Sequence, residues 1–214
     1  MLKQSTIKTV LFALFMVVLV LGCKKSNEDN NNTIDYSPLT TGSSWTYQSN
    51  GGTSYTLTVT GKDTVALART YKVLNNSSGP NIYRAKSGSD YYQFAVIPGL
   101  GINGFELLYL KDNQAVNTSW QNNQVLNVPN VPLPLVATFN YTLKEKGIAR
   151  TVNTKAYSDV IHIRLDVSVA GIGSLGGGDF YYANKVGMIE SSLSLSYSGQ
   201  VINQTDILTA YTIK

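Results

Sequence analysis

From Tyr36 to the C-terminus, apolar and polar residues alternate at every second position in one segment after another. In 158–170, SDVIHIRLDVSVA, aliphatic residues occupy one face and polar or charged residues the other. The segments 53–61 and 189–197 follow the same pattern. A period of two indicates a β-strand with one buried face, and this favours an antiparallel sheet, because parallel sheets are usually covered on both faces.

Turn-forming residues separate these segments, and no longer stretch shows the period of a helix. The strands predicted in this way are 43–49, 53–61, 65–74, 80–86, 90–97, 104–111, 135–146, 148–157, 158–170, 178–184, 189–197 and 205–213. Proline cannot donate to a sheet ladder, so 128–135, VPNVPLPL, is predicted to be an extended connection. The fold class predicted is all-β: a single domain at 36–214 with a large curved antiparallel sheet, as a half-barrel, a barrel or a sandwich.

Composition restricts the partners of such a domain. Only 14% of the 214 residues are charged, and the formal charge is +4, to which Lys3 and Lys8 contribute. Nucleic-acid binding usually needs a clustered basic face, whereas the basic cluster of the body, Lys144 and Lys146, encloses Glu145. We therefore expect no nucleic-acid partner. A chain of this size can also bury enough surface to fold without disulfides or metal.

The N-terminus is organised like a secretory signal. Lys3 and Lys8 precede a continuous apolar run at 10–22, VLFALFMVVLVLG. As a helix this run would be about 20 Å long, whereas the hydrocarbon core of a membrane is roughly 30 Å thick. A short basic start followed by such a run predicts a signal peptide at 1–22.

The apolar run ends at Cys23, the only cysteine, so no intrachain disulfide can form. The sequence LVLGC at 19–23 resembles the lipobox of bacterial lipoproteins, which implies cleavage before Cys23 and its modification by acyl chains such as palmitate. Two or three chains would hold the protein on a membrane stably, since one alone binds only marginally. The polar, Asn-rich segment that follows predicts a flexible tether, so 23–35 is interpreted as the lipidated cysteine and its tether.

The opening of the predicted domain, YSPLTTGSSWTY at 36–47, resembles that of a broad group of uncharacterised Bacteroidetes-type lipoproteins. The shared features are Tyr-x-Pro-Leu, then Gly, then Trp-x-Tyr. The segments RTYKVL at 69–74 and YYANKVGMI at 181–189 resemble later parts of the same group. The resemblance implies a β-rich lipoprotein of the outer membrane, on its periplasmic or its surface side, and it implies no activity.

Two local patterns suggest known chemistry, and each has a plainer interpretation. The segment 171–176, GIGSLG, matches the dinucleotide motif, but a strand follows instead of the required helix, so a flexible hairpin loop is predicted. His162 is the only histidine, and Asp166 lies about 13 Å further along the strand, so a surface or partly covered histidine is favoured over a catalytic one. With one histidine and a lipidated cysteine, zinc has no ordinary ligand set. A calcium site of Asp and backbone oxygens stays open, but no D-x-D-x-D-G loop is present, so we expect no metal site and no cofactor.

Carboxylate pairs are the remaining catalytic option. A glycan hydrolase needs two carboxylates about 5–9 Å apart in one cleft. The candidates that could meet in space are Asp159, Asp166, Asp179, Glu106 and Glu190. Their spacing along the chain gives no sign that they do, so we expect no catalytic residues and keep a hydrolase as the alternative.

Aromatic residues are the best candidates for ligand binding. Trp45, Tyr92, Trp120 and Tyr182 combine a large apolar area with a polar group, which suits contact with sugars or lipids. Core packing is the competing interpretation, because adjacent tyrosines in a strand point to opposite faces. The sequence predicts a membrane-anchored lipoprotein whose β domain binds an apolar or glycan ligand, or docks on an envelope protein partner. A passive structural subunit of the envelope is the further alternative.

Overall fold

The computed structural model describes residues 34–97, 102–126, 134–197 and 199–214. The strands are β1 (Ser44–Ser49), β2 (Thr53–Ala66), β3 (Arg69–Asn76), β4 (Ile82–Ser87), β5 (Asp90–Ile97), β6 (Ile102–Lys111), β7 (Ser119–Leu126), β8 (Leu135–Val152), β9 (Lys155–Val169), β10 (Gly173–Ala183), β11 (Gly187–Tyr197) and β12 (Gln200–Thr212). Within the described residues, no helix has the length and apolar character needed to cross a membrane. The predicted signal peptide, Cys23 and most of the proline-rich segment lie outside them.

The strands form one 12-stranded antiparallel sheet in the order β6-β5-β4-β3-β2-β1-β12-β11-β10-β9-β8-β7. Strands that follow one another in sequence pair throughout, except for β6 and β7, and the first strand pairs with the last. The sheet is nearly closed into a barrel. The predicted all-β class and the large curved antiparallel sheet are therefore confirmed, and the nearly closed barrel is the architecture observed.

The two edge strands, β6 and β7, meet through side chains of β7 that bond to the backbone of β6. Trp120 Nε1 donates to the carbonyl of Leu108 at 2.8 Å, and Asn122 Oδ1 accepts from the N–H of Leu108 at 3.0 Å. Gln124 Nε2 donates to the carbonyl of Glu106 at 2.9 Å. These bonds satisfy backbone groups that an edge strand leaves unpaired. They also explain why β7, SWQNNQVL, carries so many amides and was not predicted as a strand.

Predicted elements in three regions of the chain differ from the observed ones. The predicted strand 65–74 is wrong at its start, because the chain turns at Leu67 and Ala68, whose φ angles are +47° and +63°. Neither residue is a usual turn former, so the sequence carried no signal there. The segments 135–146 and 148–157 are not two strands, since β8 continues to Val152 before the chain turns. The predicted loop at 171–176 is also wrong in extent, because Gly173 already belongs to β10.

The inward faces of the strands pack into one hydrophobic core. Its fully buried side chains include Tyr36, Tyr47, Leu57, Leu74, Tyr91, Leu110, Leu143, Ile161, Ile163, Ile189 and Leu208. Burial of each large aliphatic side chain stabilises the fold by about 1.5–3 kcal/mol. The tyrosines bring hydroxyl groups into this core, and each hydroxyl needs a partner there.

Residues 34–43 pack against one end of the barrel, called here the N-terminal end. The N–H of Tyr36 donates to the hydroxyl of Tyr91 at 3.1 Å, and the Tyr36 hydroxyl donates to Asp159 at 2.8 Å. The N–H of Asp35 donates to Asn184 Oδ1 at 2.8 Å. The compact unit begins at Ile34, so the last two residues of the predicted tether are packed against the barrel.

Candidate functional site

The opposite end of the barrel, called here the cavity end, carries the turns at 50–52, 77–81 and 170–172. A cavity of about 470 Å³ lies there, between the β1–β2 hairpin, the start of β4 and the start of β12. Its lining includes Tyr55, Ile82, Ile202 and Gln204. Tyr55 is paired with the buried Tyr47, and residues directly opposite in a sheet share a face. The cavity therefore belongs to the inner face, and its size is in the range of small-molecule sites.

Arg84 lies beneath this cavity. It is two residues beyond Ile82 on β4, so the two side chains share the inner face and Arg84 is about 7 Å deeper. Arg84 is only 9% exposed, and its Nε has no hydrogen-bond partner among the described residues. It forms no ion pair with a carboxylate of those residues. A guanidinium has five N–H donors and stays charged. Burying it without enough hydrogen-bond acceptors therefore destabilises the folded protein.

Tyrosines surround the Arg84 guanidinium. Tyr47 stacks on Tyr55 with ring centroids 5.4 Å apart, and Tyr109 packs against Tyr182 at 5.8 Å. The Tyr109 ring centroid is 5.8 Å from Arg84 Cζ. Burial by itself lowers the pKa of Arg84, but the neighbouring tyrosine oxygens outweigh this effect, so the pKa is raised. Burial raises the pKa of Tyr47, Tyr55, Tyr109 and Tyr182, so all four hydroxyls remain protonated at neutral pH.

Asp206 is the acidic group nearest to the same tyrosines. It is 5% exposed; its Oδ2 accepts from Gln204 Nε2 at 2.8 Å, and its Oδ1 has no partner among the described residues. Burial is the main cause of the raised pKa of Tyr55; beyond burial, Asp206 raises this pKa and Arg84 lowers it. Both charges therefore act on Tyr55, which itself lines the cavity. Arg84 and Asp206 are thus a buried cation and a buried anion that form no ion pair with each other, and neither lines the cavity.

A second polar cluster lies on the outer face, around His162. Its Nδ1 is 3.1 Å from Glu145 Oε2, its Nε2 is 2.8 Å from Asp179 Oδ1, and its ring stacks on Tyr181 at 4.4 Å. Arg164 lies 2.9 Å from Asp179 and 3.0 Å from Asp166. His162 is thus largely covered, with 13% of its side chain exposed, and its partners come from the neighbouring strands β8 and β10.

Asp179, in this outer cluster, does not have the raised pKa of a general acid. Burial raises the pKa of Asp179, but hydrogen bonds from His162 and Arg164 outweigh it, and the net pKa is lowered. A general acid in glycan hydrolysis needs a raised pKa. Asp166 and Asp179 are the two candidate carboxylates that the structure brings together, and both bind Arg164.

The other candidate carboxylates lie in separate places. Glu106 accepts from Arg69 at 2.6 Å, and Glu190 accepts from Arg150 at 2.8 Å. Asp159 accepts from the buried Tyr36 hydroxyl at the N-terminal end. Within the described ranges, no group of three His, Cys, Asp or Glu side chains is close enough to hold a metal ion.

The four aromatic candidates do not line one surface. Trp45 and Tyr182 are buried in the core, at 3% and 5% exposure. Trp120 is half-buried at the β6–β7 junction, where its indole bonds to the β6 backbone. Tyr92 lies on the outer face, with the Arg69 guanidinium 3.4 Å above its ring. Tyr182 is the one of the four that packs against Tyr109 in the core beside Arg84.

Sequence reasoning missed Arg84 and Asp206, although each left a signal. Arg84 alternates with Ile82, and Asp206 alternates with Leu208, which is buried in the core. Each charged residue therefore occupies an inward-facing position of its strand. A charged residue at an inward-facing position is unusual, because charged side chains are rarely buried without a partner.

No protein-family model matches this chain, and no curated protein matches it. Among solved structures, a protein from Parabacteroides distasonis ATCC 8503, predicted to be a lipoprotein, is 11% identical with a TM-score of 0.44, and the match covers 84% of this chain and 99% of that one. A protein from Bacteroides fragilis NCTC 9343, predicted to be exported and described as having a YmcC-like fold, is 10% identical with a TM-score of 0.39, over 82% and 97% of the two chains. Both likenesses are distant.

Proposed function

We propose that this chain is a lipoprotein of the bacterial outer membrane, held by lipid on Cys23, whose barrel binds a small ligand at its cavity end without catalysis. The observation that carries the proposal is the pair of buried groups below the cavity. Arg84 and Asp206 each retain an atom without a hydrogen-bond partner among the described residues. Buried polar groups without hydrogen-bond partners destabilise a folded protein, and such destabilisation is typical of binding sites.

A ligand that bonded to these groups would offset their desolvation and bind only the folded state. Binding of this kind stabilises a protein in proportion to the logarithm of ligand concentration over Kd. The cavity of about 470 Å³ is the right size for a small molecule or for one end of a larger one. Seven of the ten residues that line the cavity are polar, and Tyr55, Ile82 and Ile202 add apolar contact, which suits a glycan or an amphipathic ligand.

The outer face supports the non-catalytic part of the proposal. Arg69, Arg150 and Arg164 each pair with a carboxylate there. Hydrogen bonds from His162 and Arg164 lower the pKa of Asp179, so this carboxylate is a poor proton donor. The edge strands support ligand binding over a passive assembly role, because side chains of β7 already occupy the β6 edge.

Native mass spectrometry of the mature chain, extracted gently from an envelope-containing host, tests this proposal. We expect an intact mass that corresponds to a start at Cys23 plus acyl chains, and a bound small molecule at one per chain that is lost on denaturation. An unmodified N-terminus would contradict the proposed lipid anchor on Cys23. A protein free of ligand, and still free after incubation with envelope lipid and glycan extracts, would remove the ligand-binding function.

A further inference from the structure

Resting on that ligand-binding function, we infer that the ligand is an uncharged glycan. Its hydroxyl groups bond to the side-chain amides and hydroxyls that line the inner cavity. The residues that carry this assignment belong to the lining itself, whereas Arg84 and Asp206 lie outside it.

The lining of the inner cavity carries no charge. None of its ten residues is acidic or basic, and the described turns around it, 50–52, 77–81 and 170–172, are also uncharged. The outer depression differs, since Arg164 and Asp179 form part of its lining. A charged group loses hydration when it is bound and needs a group of opposite charge in exchange. The inner cavity therefore favours an uncharged ligand over an anionic lipid headgroup, a uronic acid or an amino acid.

Three amide side chains of this lining are held by the protein through one of their two polar atoms. Asn50 Oδ1 accepts from a backbone N–H of β12 at 2.9 Å, and Asn76 Oδ1 accepts from the N–H of Ser78 at 3.1 Å. Gln204 Nε2 donates to Asp206 Oδ2 at 2.8 Å. The Nδ2 of each asparagine and the Oε1 of Gln204 bond to none of the described residues. The protein thus fixes these amides and leaves two donor groups and one acceptor available to a ligand.

Sugar hydroxyls match this set of groups, because a hydroxyl both donates and accepts hydrogen bonds. Ser49 and Thr53 add hydroxyls of their own to the lining. Tyr55, Ile82 and Ile202 supply apolar contact, which the C–H groups of a sugar ring need beside its hydroxyls. A wholly aliphatic ligand would instead cover the polar side chains without bonding to them, and this is unfavourable.

The mouth of the cavity is open to solvent. Ile202 in its lining is 61% exposed. A cavity of about 470 Å³ is in the size range of small-molecule sites, and an open mouth allows a bound chain to continue outside it. A short oligosaccharide, or the end of a longer glycan, therefore fits this site.

Isothermal titration calorimetry with the mature full chain tests this inference, in a polyoxyethylene detergent that contains no sugar. The neutral probes are maltotriose, cellotriose and triacetylchitotriose. The charged probes are trigalacturonic acid, which is anionic, and chitotriose, whose free amines are protonated in mildly acidic buffer. Decanoate is the lipid-like probe. We expect a neutral trisaccharide to bind one per chain, about tenfold or more tightly than the charged probes and decanoate.

Two substitutions in the lining locate the contact. Gln204→Met removes the free Oε1 together with the bond to Asp206, and Thr53→Val replaces a hydroxyl by a methyl group and leaves that bond intact. We expect each to weaken the bound neutral trisaccharide by about threefold or more, since each removes a hydrogen bond to the ligand. Gln121→Met and Thr151→Val are the matched controls at exposed positions outside the lining, and they should leave its affinity unchanged. Circular dichroism of each variant shows that it is folded.

The inference is overturned if a charged trisaccharide binds as tightly as the best neutral one, or if neither lining substitution, once folded, changes the affinity. It is also overturned if decanoate alone binds, or if none of these probes binds below about 10 mM. A bound molecule in the native mass spectrum that contains no sugar would support the proposed ligand-binding function and contradict the glycan. A protein without ligand in both experiments would contradict both, so the two failures are distinguishable.

Discussion

Two depressions of similar size lie next to arginines of this barrel, one on each face of the sheet. The outer one, about 510 Å³, is lined by Arg164, and the inner one, about 470 Å³, lies above Arg84. Arg164 binds two carboxylates, whereas Arg84 pairs with none of the described ones. The volume of a depression is therefore not sufficient to identify a binding site. What distinguishes the inner depression is hydrogen-bonding capacity that the protein leaves unused.

The outer depression has a structural cause. Gly176, Gly177 and Gly178 form part of its lining. A Cβ atom at Gly177 would overlap the carbonyl oxygen of Leu165 on β9, and one at Gly178 would overlap that of Ser192 on β11. These glycines therefore allow β10 to lie close to both neighbours. The outer depression follows from strand packing and requires no ligand.

The largest expected effect is at this glycine segment. Gly177→Ala places a Cβ against rigid backbone, so we expect the free energy of unfolding to fall by about 2–4 kcal/mol. Urea unfolding followed by circular dichroism measures it. Gly52→Ala is the control, because a Cβ atom at Gly52 would have no neighbour within 4 Å, and it should change little. Equal stabilities of the two variants would contradict the packing role.

The inner arginine should respond in the opposite direction. Arg84→Met removes a buried charge that has no carboxylate partner among the described residues, so we expect the ligand-free protein to become more stable by about 1–3 kcal/mol. Arg164→Met removes half-exposed ion pairs and should destabilise by less than about 1 kcal/mol. Urea unfolding of both variants, after removal of ligand, measures the difference. Destabilisation by Arg84→Met beyond that of Arg164→Met would show that Arg84 is satisfied within the fold.

The smallest effect is the pH dependence of the outer cluster. The pKa of Asp179 is below its ordinary value of 3.8 in the folded protein, because hydrogen bonds from His162 and Arg164 outweigh burial. Its stabilisation is therefore complete above the ordinary value and is lost as pH falls through the lowered folded value. Asp179→Asn should cost less than about 1 kcal/mol at pH 7, since the pair is partly exposed.

Unfolding measured across an acid series tests this pH dependence. The stabilities of Asp179→Asn and the unaltered protein should converge as pH falls below the range where the carboxylate is ionised. Glu106→Gln is a useful comparison on the outer face, since Glu106 also binds an arginine. A constant difference between Asp179→Asn and the unaltered protein down to the lowest pH would show that charge is not what Asp179 contributes.

Most strands could be predicted because alternation is a local property of the chain. The segments 158–170 and 189–197 carry clear alternation and lie within observed strands to a residue or two. The misses have physical reasons. β7 is polar on both faces because its amides bond to the β6 backbone, and the turn at Leu67 and Ala68 uses residues that rarely form turns.

The site was less predictable than the fold. The aromatic residues were chosen for their chemistry, and three of the four were needed for interior packing or for the edge of the sheet. The five candidate carboxylates were chosen in the same way, and the structure places them beside arginines or a buried hydroxyl. Residue type indicates what a side chain can do, but its neighbours decide what it does.

By itself, the sequence determined that this chain forms antiparallel strands with one buried face. The alternation of apolar and polar residues that predicts such strands involves only residues close in the chain. The tertiary structure alone decided which polar groups would meet. Arg84 and Asp206 come from strands far apart in sequence, and they share one interior because β1 pairs with β12 and the sheet curls toward closure. Whether a charge finds a partner depends on that closure and on strand register, which no local pattern records.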